Sequence, residues 1–453
     1  FWFFSLDLRS SKHAVQSVIT NWINKNNRYN QKSWDFNITS KRIIAWLSNS
    51  KLSYEESDND YKKKFNKIII KQTNHLIYLT NKSKPLDDKI IGCTAIILVG
   101  LCFQNEKRYL TYGLELLNKI IKSTLDEYGF PISRNIKQIV LFLKYIILVR
   151  EWLKESQNLI PEFIDETIYY LGQAYTFTWQ NIKNNILFNG NNNSNYNSFD
   201  EYLKRLGYKF KYESNTLGGY VILKDKKITL TMDIGHSPIK KFSKDYQSGA
   251  LSFEIISNGN KLVSNSGYFK KNKNNLNEIS KSTAAHNTLV LENHSSCKFE
   301  RTKKNEFLVE NGLKILKKDI VCEKDYWKII AAHDGYLKKF NTIHERQIEF
   351  IPKEMKFIGT DKILSKNKKQ NIKFDIRFHL EPNVKTMKTQ DNKSILIELD
   401  EEGWKFTCDK HDINIDNGLY FGKKNSYIEN QNIFISGIVL GQKEDIKWEI
   451  IKL

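Results

Sequence analysis

Several features that would fix a class outright are missing from this sequence. Its 453 residues contain no run of about 18 apolar residues, so no membrane-spanning helix is expected. The five cysteines (Cys93, Cys102, Cys297, Cys322 and Cys408) are scattered, odd in number and never spaced as Cys-x-x-Cys. That argues against a zinc ribbon and a disulfide framework. Cys93 and Cys102, set in apolar helical sequence, read as core thiols. No helix-turn-helix, zinc finger or basic-aromatic motif accompanies the positive charge, so nucleic-acid binding has only the charge behind it. No Asp/Glu pair stands out for glycoside hydrolysis. The chain opens on Phe1-Trp2-Phe3-Phe4 without an initiating Met. Four residues are too few for a signal peptide, and an upstream segment, with any signal in it, is expected to precede them.

A hydrophobic fraction of 40% and an aromatic fraction of 13% are those of a globular protein, and the length suits two or three domains. The formal charge is +20, and Lys greatly outnumbers Arg while Ile and Asn abound. That composition reads first as the coding bias of an AT-rich genome. The resulting field attracts polyanions whatever its origin.

Two textures follow one another along the chain. Asn37-Ile38-Thr39-Ser40 reads as a capping signal before the apolar face of 41–47. Helical spacing then recurs over 61–79, 89–103, 109–125, 136–153 and 162–179. Lys89 to Phe103 is almost wholly apolar and reads as a buried helix. Short connections make neighbouring helices antiparallel, an arrangement that suits an α/α toroid, a bundle or a solenoid. The loop Asn189-Gly190-Asn191-Asn192-Asn193-Ser194-Asn195 marks the change. A short helix over 199–206 follows, and from Tyr220 the period becomes two, with Asn, Gly and Lys turns at short intervals. This pattern predicts a large antiparallel β-sandwich. The expected domains are 1–210 and 211–453.

The densest motif is Ser282-Thr283-Ala284-Ala285-His286-Asn287-Thr288-Leu289-Val290, preceded by Gly249-Ala250-Leu251-Ser252-Phe253-Glu254 and Leu262-Val263-Ser264-Asn265-Ser266-Gly267. A histidine among small hydroxyl and amide residues at the mouth of an apolar strand is poorly explained by packing. Together these runs resemble the core pattern of the heparinase II/III family of polysaccharide lyases. Other stretches are similar to that family: Trp34, Arg42 and Trp46, residues 126–135 (DEYGFPISRN), His333-Asp334-Gly335-Tyr336, His344-Glu345-Arg346 and Arg377-Phe378-His379-Leu380. The resemblance implies an N-terminal α/α toroid followed by a C-terminal antiparallel β-sandwich. It also implies an anionic, uronic-acid-containing polysaccharide as substrate and a place in the cell envelope, the periplasm or outside the cell.

The resemblance also defines what this chain lacks. Where better understood members carry a histidine-rich run before the Leu-Ser-Phe strand, this sequence has Asp245-Tyr246-Gln247-Ser248-Gly249. A metal-binding trio of some members falls on Gln247, Asn265 and His286. Two of its three ligands are then neutral amides, so no metal and no other cofactor is expected.

Eliminative cleavage of a uronate needs a group that neutralises the carboxylate, a base at the carbon acid and an acid at the leaving oxygen. The candidates are Arg134, Asn189, Tyr196, Tyr246, Gln247 and His286 as catalytic groups, with Asn135, Asn191 and Tyr268 binding substrate in a cleft between the helical and β domains. Each has a plainer reading. Arg134 also fits a cap or ion pair, the Asn-rich loop a linker, Tyr246 and Tyr268 half-buried strand aromatics, and His286 a satisfied structural histidine. His344 and His379 read as structural, and Trp34, Arg42 and Trp46 as packing. His13, His75, His294 and His411 carry no functional signal. A second class of function also fits, a non-catalytic glycan-binding or envelope-assembly protein that keeps the lyase fold, and the missing histidine run favours it.

Overall fold

The computed structural model describes residues 11–82, 89–270, 274–303, 305–367, 371–423 and 426–453, and of Gln104 the backbone alone. The opening Phe1-Trp2-Phe3-Phe4 lies outside the described residues. The N-terminal region is helical: α1 (Lys12–Asn26), α2 (Phe36–Ser48), α3 (Ser50–Ser53), α4 (Asn59–Lys82), α5 (Ile90–Cys102), α6 (Lys107–Thr124), α7 (Ile136–Glu155), α8 (Glu162–Tyr175) and α9 (Asn197–Arg205). α8 continues through a π-helical turn at Thr176–Gln180. The cap of α2 lies one turn earlier than the sequence suggests. Asp35, rather than the 37–40 stretch, accepts from the amides of Asn37 and Ile38. By compactness the chain divides into two units, residues 1–129 with 140–171, and residues 130–139 with 172–453.

In the first unit α5 packs against α2, α4 and α6, and eleven successive residues from Ile90 to Gly100 are buried. Glycine sets how closely α6 approaches: a Cβ on Gly100 would fall 2.3 Å from the Leu110 amide nitrogen. Arg42 lies over the Trp22 ring at 3.9 Å, in line with a packing role.

In the second unit the strands are antiparallel, as the period-two pattern requires. A five-stranded sheet runs in chain order through β1 (Thr216–Leu217), β2 (Tyr220–Lys224), β3 (Ile228–Asp233), β4 (Phe253–Ser257) and β5 (Asn260–Val263). A short strand, β6 (Leu289–Leu291), follows the His286 run, and β7 (Lys298–Arg301) and β8 (Phe307–Asn311) form a hairpin. The remaining strands are β9 (Ile315–Glu323), β10 (Tyr326–His333), β11 (Thr342–Ile351), β12 (Lys356–Ser365), β13 (Ile372–His379), β14 (Lys385–Lys388), β15 (Ser394–Leu399), β16 (Glu402–Cys408), β17 (Ile413–Tyr420), β18 (Ile428–Val439) and β19 (Lys443–Lys452). Eight of them form a sheet in the order β14-β15-β16-β19-β12-β11-β10-β9, and β17-β18-β13-β6 form another.

Alternation buries one face of each strand, as in the regular in-out pattern of β12, and the inward side chains make one apolar core. At its centre Phe253 stacks on Trp448 with centroids 5.4 Å apart. Gly359 leaves the space that the Trp448 ring fills, since a Cβ there would lie 2.0 Å from the indole. This core fixes the ends of β3 and β4 and the segment before β6, where the candidate residues gather.

Candidate functional site

Arg134 sits in left-handed backbone at φ 60°, a conformation that costs a non-glycine residue roughly 1–3 kcal/mol and persists only where the surroundings over-determine it. Here they do. Its Nη2 donates to Asp233 Oδ1 at 2.7 Å and to the Gly219 carbonyl at 3.0 Å. Its Nη1 reaches Asp233 Oδ2 at 3.3 Å and the His236 carbonyl at 3.5 Å, and its Nε donates to the Gly218 carbonyl at 3.2 Å. All five guanidinium donors are thus engaged within the protein. The planar group lies over the Tyr220 ring at 4.5 Å, and a Cβ on Gly235 would fall 2.3 Å from its Cζ. Of the two plainer readings of Arg134, the geometry matches the ion pair.

Asn189, also left-handed at φ 41°, joins the same knot. Its Nδ2 donates to Tyr220 Oη at 2.6 Å and to Asp233 Oδ2 at 3.0 Å. Its Oδ1 accepts from the Gln247 amide at 3.2 Å. Gln247 is equally committed: Oε1 accepts from the Gly190 amide at 3.0 Å, and Nε2 donates to the carbonyls of Gly267 and Ser280 at 2.9 and 2.6 Å. Asn135 donates to Asp245 Oδ2 and Tyr268 to Asp245 Oδ1, both at 3.0 Å. Asn191 donates to the Ile186 carbonyl at 2.7 Å. Tyr196 is half-buried, edge-on to Trp179 with centroids 5.1 Å apart. Tyr246 and Tyr268 are not strand aromatics. They lie in the connections before β4 and after β5 and are 0% and 3% exposed. The segments around Arg134 and Asn189 belong to the same compact unit as the β-strands.

The histidine run is anchored from below. Arg346 on β11 pairs with Asp361 on β12 through Nε at 2.7 Å and Nη2 at 3.0 Å, and its Nη1 donates to the carbonyls of Leu251 and Asn287. His344 Nε2 lies 2.6 Å from Asp361 Oδ1, and Trp448 donates to Asp361 Oδ2 at 2.9 Å. With these partners, above all the Arg346 charge, the Asp361 carboxyl stays far below the usual carboxylate range despite its burial. Asn287 donates to the Phe253 carbonyl and accepts from the His379 amide. The His344 ring is thus held by Asp361, and His379 Nε2 donates to the Ala284 carbonyl at 2.8 Å.

His286 differs from its neighbours. Its Nδ1–H donates to the Ser282 carbonyl at 2.9 Å, which leaves Nε2 as the unprotonated acceptor. That atom is buried without a hydrogen-bond partner. Burial pushes the imidazole pKa down to about 4, so the ring is neutral at physiological pH. Gly249 allows it close approach, since a Cβ there would lie 2.5 Å from Cδ2. The Tyr246 hydroxyl also pairs with no oxygen or nitrogen and has the Cys297 thiol against it. Burial raises its pKa well above the ordinary tyrosine value.

The residues at the metal-binding positions of some family members do not fit a metal. The 264–267, 280–286 and 247–249 segments are laced together, with Ser266 donating to the Ala285 carbonyl at 3.1 Å and Gln247 to Gly267 and Ser280. Yet Gln247 Nε2 has given both its hydrogens, Gln247 Oε1 already accepts from Gly190, and Asn265 Oδ1 accepts from the Asn287 amide at 3.0 Å. His286 Nε2 is the one strong ligand of the three positions without a partner, and amide oxygens already hydrogen-bonded are poor company for it on zinc. Among the described residues no cluster of three His, Cys, Asp or Glu is arranged to hold a metal ion.

Sequence reading missed Asp233, Tyr220, Arg346 and Asp361 as parts of this assembly. The alternation His344-x-Arg346 was the available signal, because such residues share one face of a strand.

Among the described residues no helix is long and apolar enough to cross a membrane. No curated protein matches the chain in sequence. Solved structures do match it. A heparinase III is 15% identical with a TM-score of 0.76, over 96% of this chain and 72% of that one. A heparan sulfate lyase from Pedobacter heparinus is 13% identical with a TM-score of 0.71, over 100% and 74%. A further heparinase III is 13% identical with a TM-score of 0.74, over 96% and 74%. At such identities the likeness establishes the fold, a helical toroid followed by a β-sandwich. The sequence model described as heparinase II/III-like, C-terminal, matches residues 213–449. Covering more than half of the chain, that match means that the protein belongs to the heparinase II/III-like family.

Proposed function

We propose that the protein is a polysaccharide lyase that cleaves an acidic, uronic-acid-containing glycan by β-elimination, in the cell envelope or outside the cell. A heparan-type glycosaminoglycan is one candidate substrate, since similar folds carry heparan sulfate lyase activity. The observation that carries the reading is the state of His286: neutral, held in one tautomer, with an unspent acceptor at Nε2. A general base needs that state. In the proposed step Nε2 takes the proton α to the carboxylate, a C=C bond forms, the bond to the glycosidic oxygen breaks, and that oxygen leaves with a proton. Tyr246, whose hydroxyl has only the Cys297 thiol against it, supplies it. Both groups are sealed, at 1% and 0% exposure, so the step requires the segments over them to open on binding. Arg134 and Gln247 then shape the site without touching the carboxylate, because their donors are spent, while Tyr196 packs instead against Trp179. The test is an ultraviolet assay on a panel of uronate polymers, since elimination leaves an absorbing unsaturated sugar.

The same burial favours a second reading, a glycan-binding protein that keeps the fold without catalysis. Side chains suited to hold a substrate carboxylate are committed to Asp233 and to backbone carbonyls instead. Binding of a uronate polymer that never yields the absorbing product would decide for this reading.

A further inference from the structure

A second feature of the β-containing unit is an open cleft of about 960 Å³, within the range of small-ligand sites. It is walled by the loop after the π-helical turn, the β4–β5 hairpin, the start of β14 and the β15–β16 turn. Its charge contrasts with that of the chain. Although the protein carries +20, the three lysines in this wall are all paired: Lys183 with Asp200 at 2.9 Å, Lys261 with Glu254 at 3.2 Å and Lys385 with Glu398 at 3.2 Å. Against them the wall itself sets Glu381, Glu398 and Asp400. Among the described residues of the wall, every lysine has a carboxylate partner.

What the wall offers is amides. Asn193 Nδ2 donates at 2.9 Å to Tyr420 Oη, which donates at 2.8 Å to Glu381 Oε1. Asn185 Nδ2 donates to the Ser194 carbonyl at 2.9 Å. Glu381 Oε2 and Asn185 Oδ1 are left as buried acceptors without a partner. The groups within reach of a ligand are the exposed wall amides of Asn193, Asn195, Asn260 and Asn383. A hydroxyl suits them, because it donates one hydrogen bond, accepts from neighbouring amides and is cheaper to strip of water than an ion. We infer that this cleft binds uncharged, hydroxyl-rich saccharide residues, a site separate in its chemistry from the His286 region. The inference rests on the glycan reading above. It adds that the polymer carries neutral sugars beside its uronates, or neutral branches on them.

The test is calorimetric titration with uncharged gluco-, galacto- and N-acetylglucosamine oligosaccharides of four to six units, alongside a uronate oligomer of equal length. At least one neutral oligomer is expected to bind, with an affinity that changes less than twofold between 50 and 500 mM NaCl, since hydroxyl recognition is not screened. Asn383→Arg, at an exposed wall position, is expected to weaken it tenfold or more by filling the cleft, and Asn193→Ala to weaken it as well. No neutral binding, binding lost in salt, or binding unmoved by Asn383→Arg would overturn the inference. Elimination of a uronate polymer without neutral binding leaves the lyase reading standing and removes this site. Neutral binding without elimination does the reverse.

Discussion

Arg134 and Asp233 form a buried ion pair, Nη2 to Oδ1 at 2.7 Å, between residues 99 apart in the chain. The two side chains are 8% and 1% exposed, so each charge depends on the other. Removing one partner of such a pair typically costs ~3–5 kcal/mol, because the remaining charge stays buried, while replacing both with apolar groups costs far less. Arg134→Met and Asp233→Leu are each expected to lower unfolding free energy by about that amount, and the double variant to recover part of it. Urea denaturation of the three proteins checks this. Singles within about 1 kcal/mol of the parent would remove the pair from the structural account.

Acid should unfold the protein early. His286, His333, His344 and His379 are all buried, and burial lowers the pKa of each, to about 4 for His286 and about 3 for His379. The unfolded chain, with histidines near the ordinary value of about 6.5, therefore takes up protons before the folded chain as pH falls. Their contribution is complete above about pH 6.5 and is lost progressively between there and about pH 4, at up to about 1.4 kcal/mol per pH unit for each histidine. Thermal melting from pH 8 to 4 is expected to be flat at first and then to fall steeply below about 6.5. A melting temperature unchanged down to pH 4.5 would contradict it.

The helical and β textures were legible because periodicity is local, and buried α5 declared itself through composition alone. The His286 run was legible as a motif. Its supports were not. Asp233 closes β3 just before Ile234-Gly235 and reads as a turn residue, and its partner lies 99 positions upstream. His344 and Arg346 alternate visibly on one strand, but that they meet Asp361 depends on the β11–β12 register, which pairs Arg346 with Asp361 and is set by a turn with no strong signature. Tyr246 looked like a strand aromatic because the hydrophobic pattern does not say where β4 begins, which is seven residues later. Burial of the whole polar knot arises from contacts between distant segments, and composition carries no trace of it.

The purified protein is expected to hold no stoichiometric zinc. Gln247 spends its amide on Gly190, Gly267 and Ser280, and Asn265 Oδ1 is taken by Asn287, so a metal would have to break several buried hydrogen bonds to gain one imidazole and weak amide ligands. Elemental analysis after dialysis against a chelator, paired with melting curves with and without added zinc, tests this. Retained metal near one equivalent, or marked stabilisation by micromolar zinc, would show that the side chains rearrange around an ion.

The remaining prediction concerns His286 as the base. If its neutral Nε2 accepts the substrate proton, activity needs the deprotonated ring, and the depressed pKa places the acid limb of the rate profile near pH 4 rather than near 6.5. The protein loses stability in the same range, so initial rates must be taken after short jumps from neutral pH. His286→Ala should lower the rate on the best uronate polymer by ~10²-fold or more. Gly249→Ala is the subtler test, because the added Cβ would lie 2.5 Å from His286 Cδ2 and must displace the ring while leaving its chemistry intact. It is expected to lower kcat more than it raises KM. Added salt should raise KM in all three proteins, as screening weakens the pull of a +20 chain on a polyanion. A folded His286→Ala protein with undiminished rate takes His286 out of the mechanism. An acid limb near 6.5 that survives in that variant assigns the base to another group.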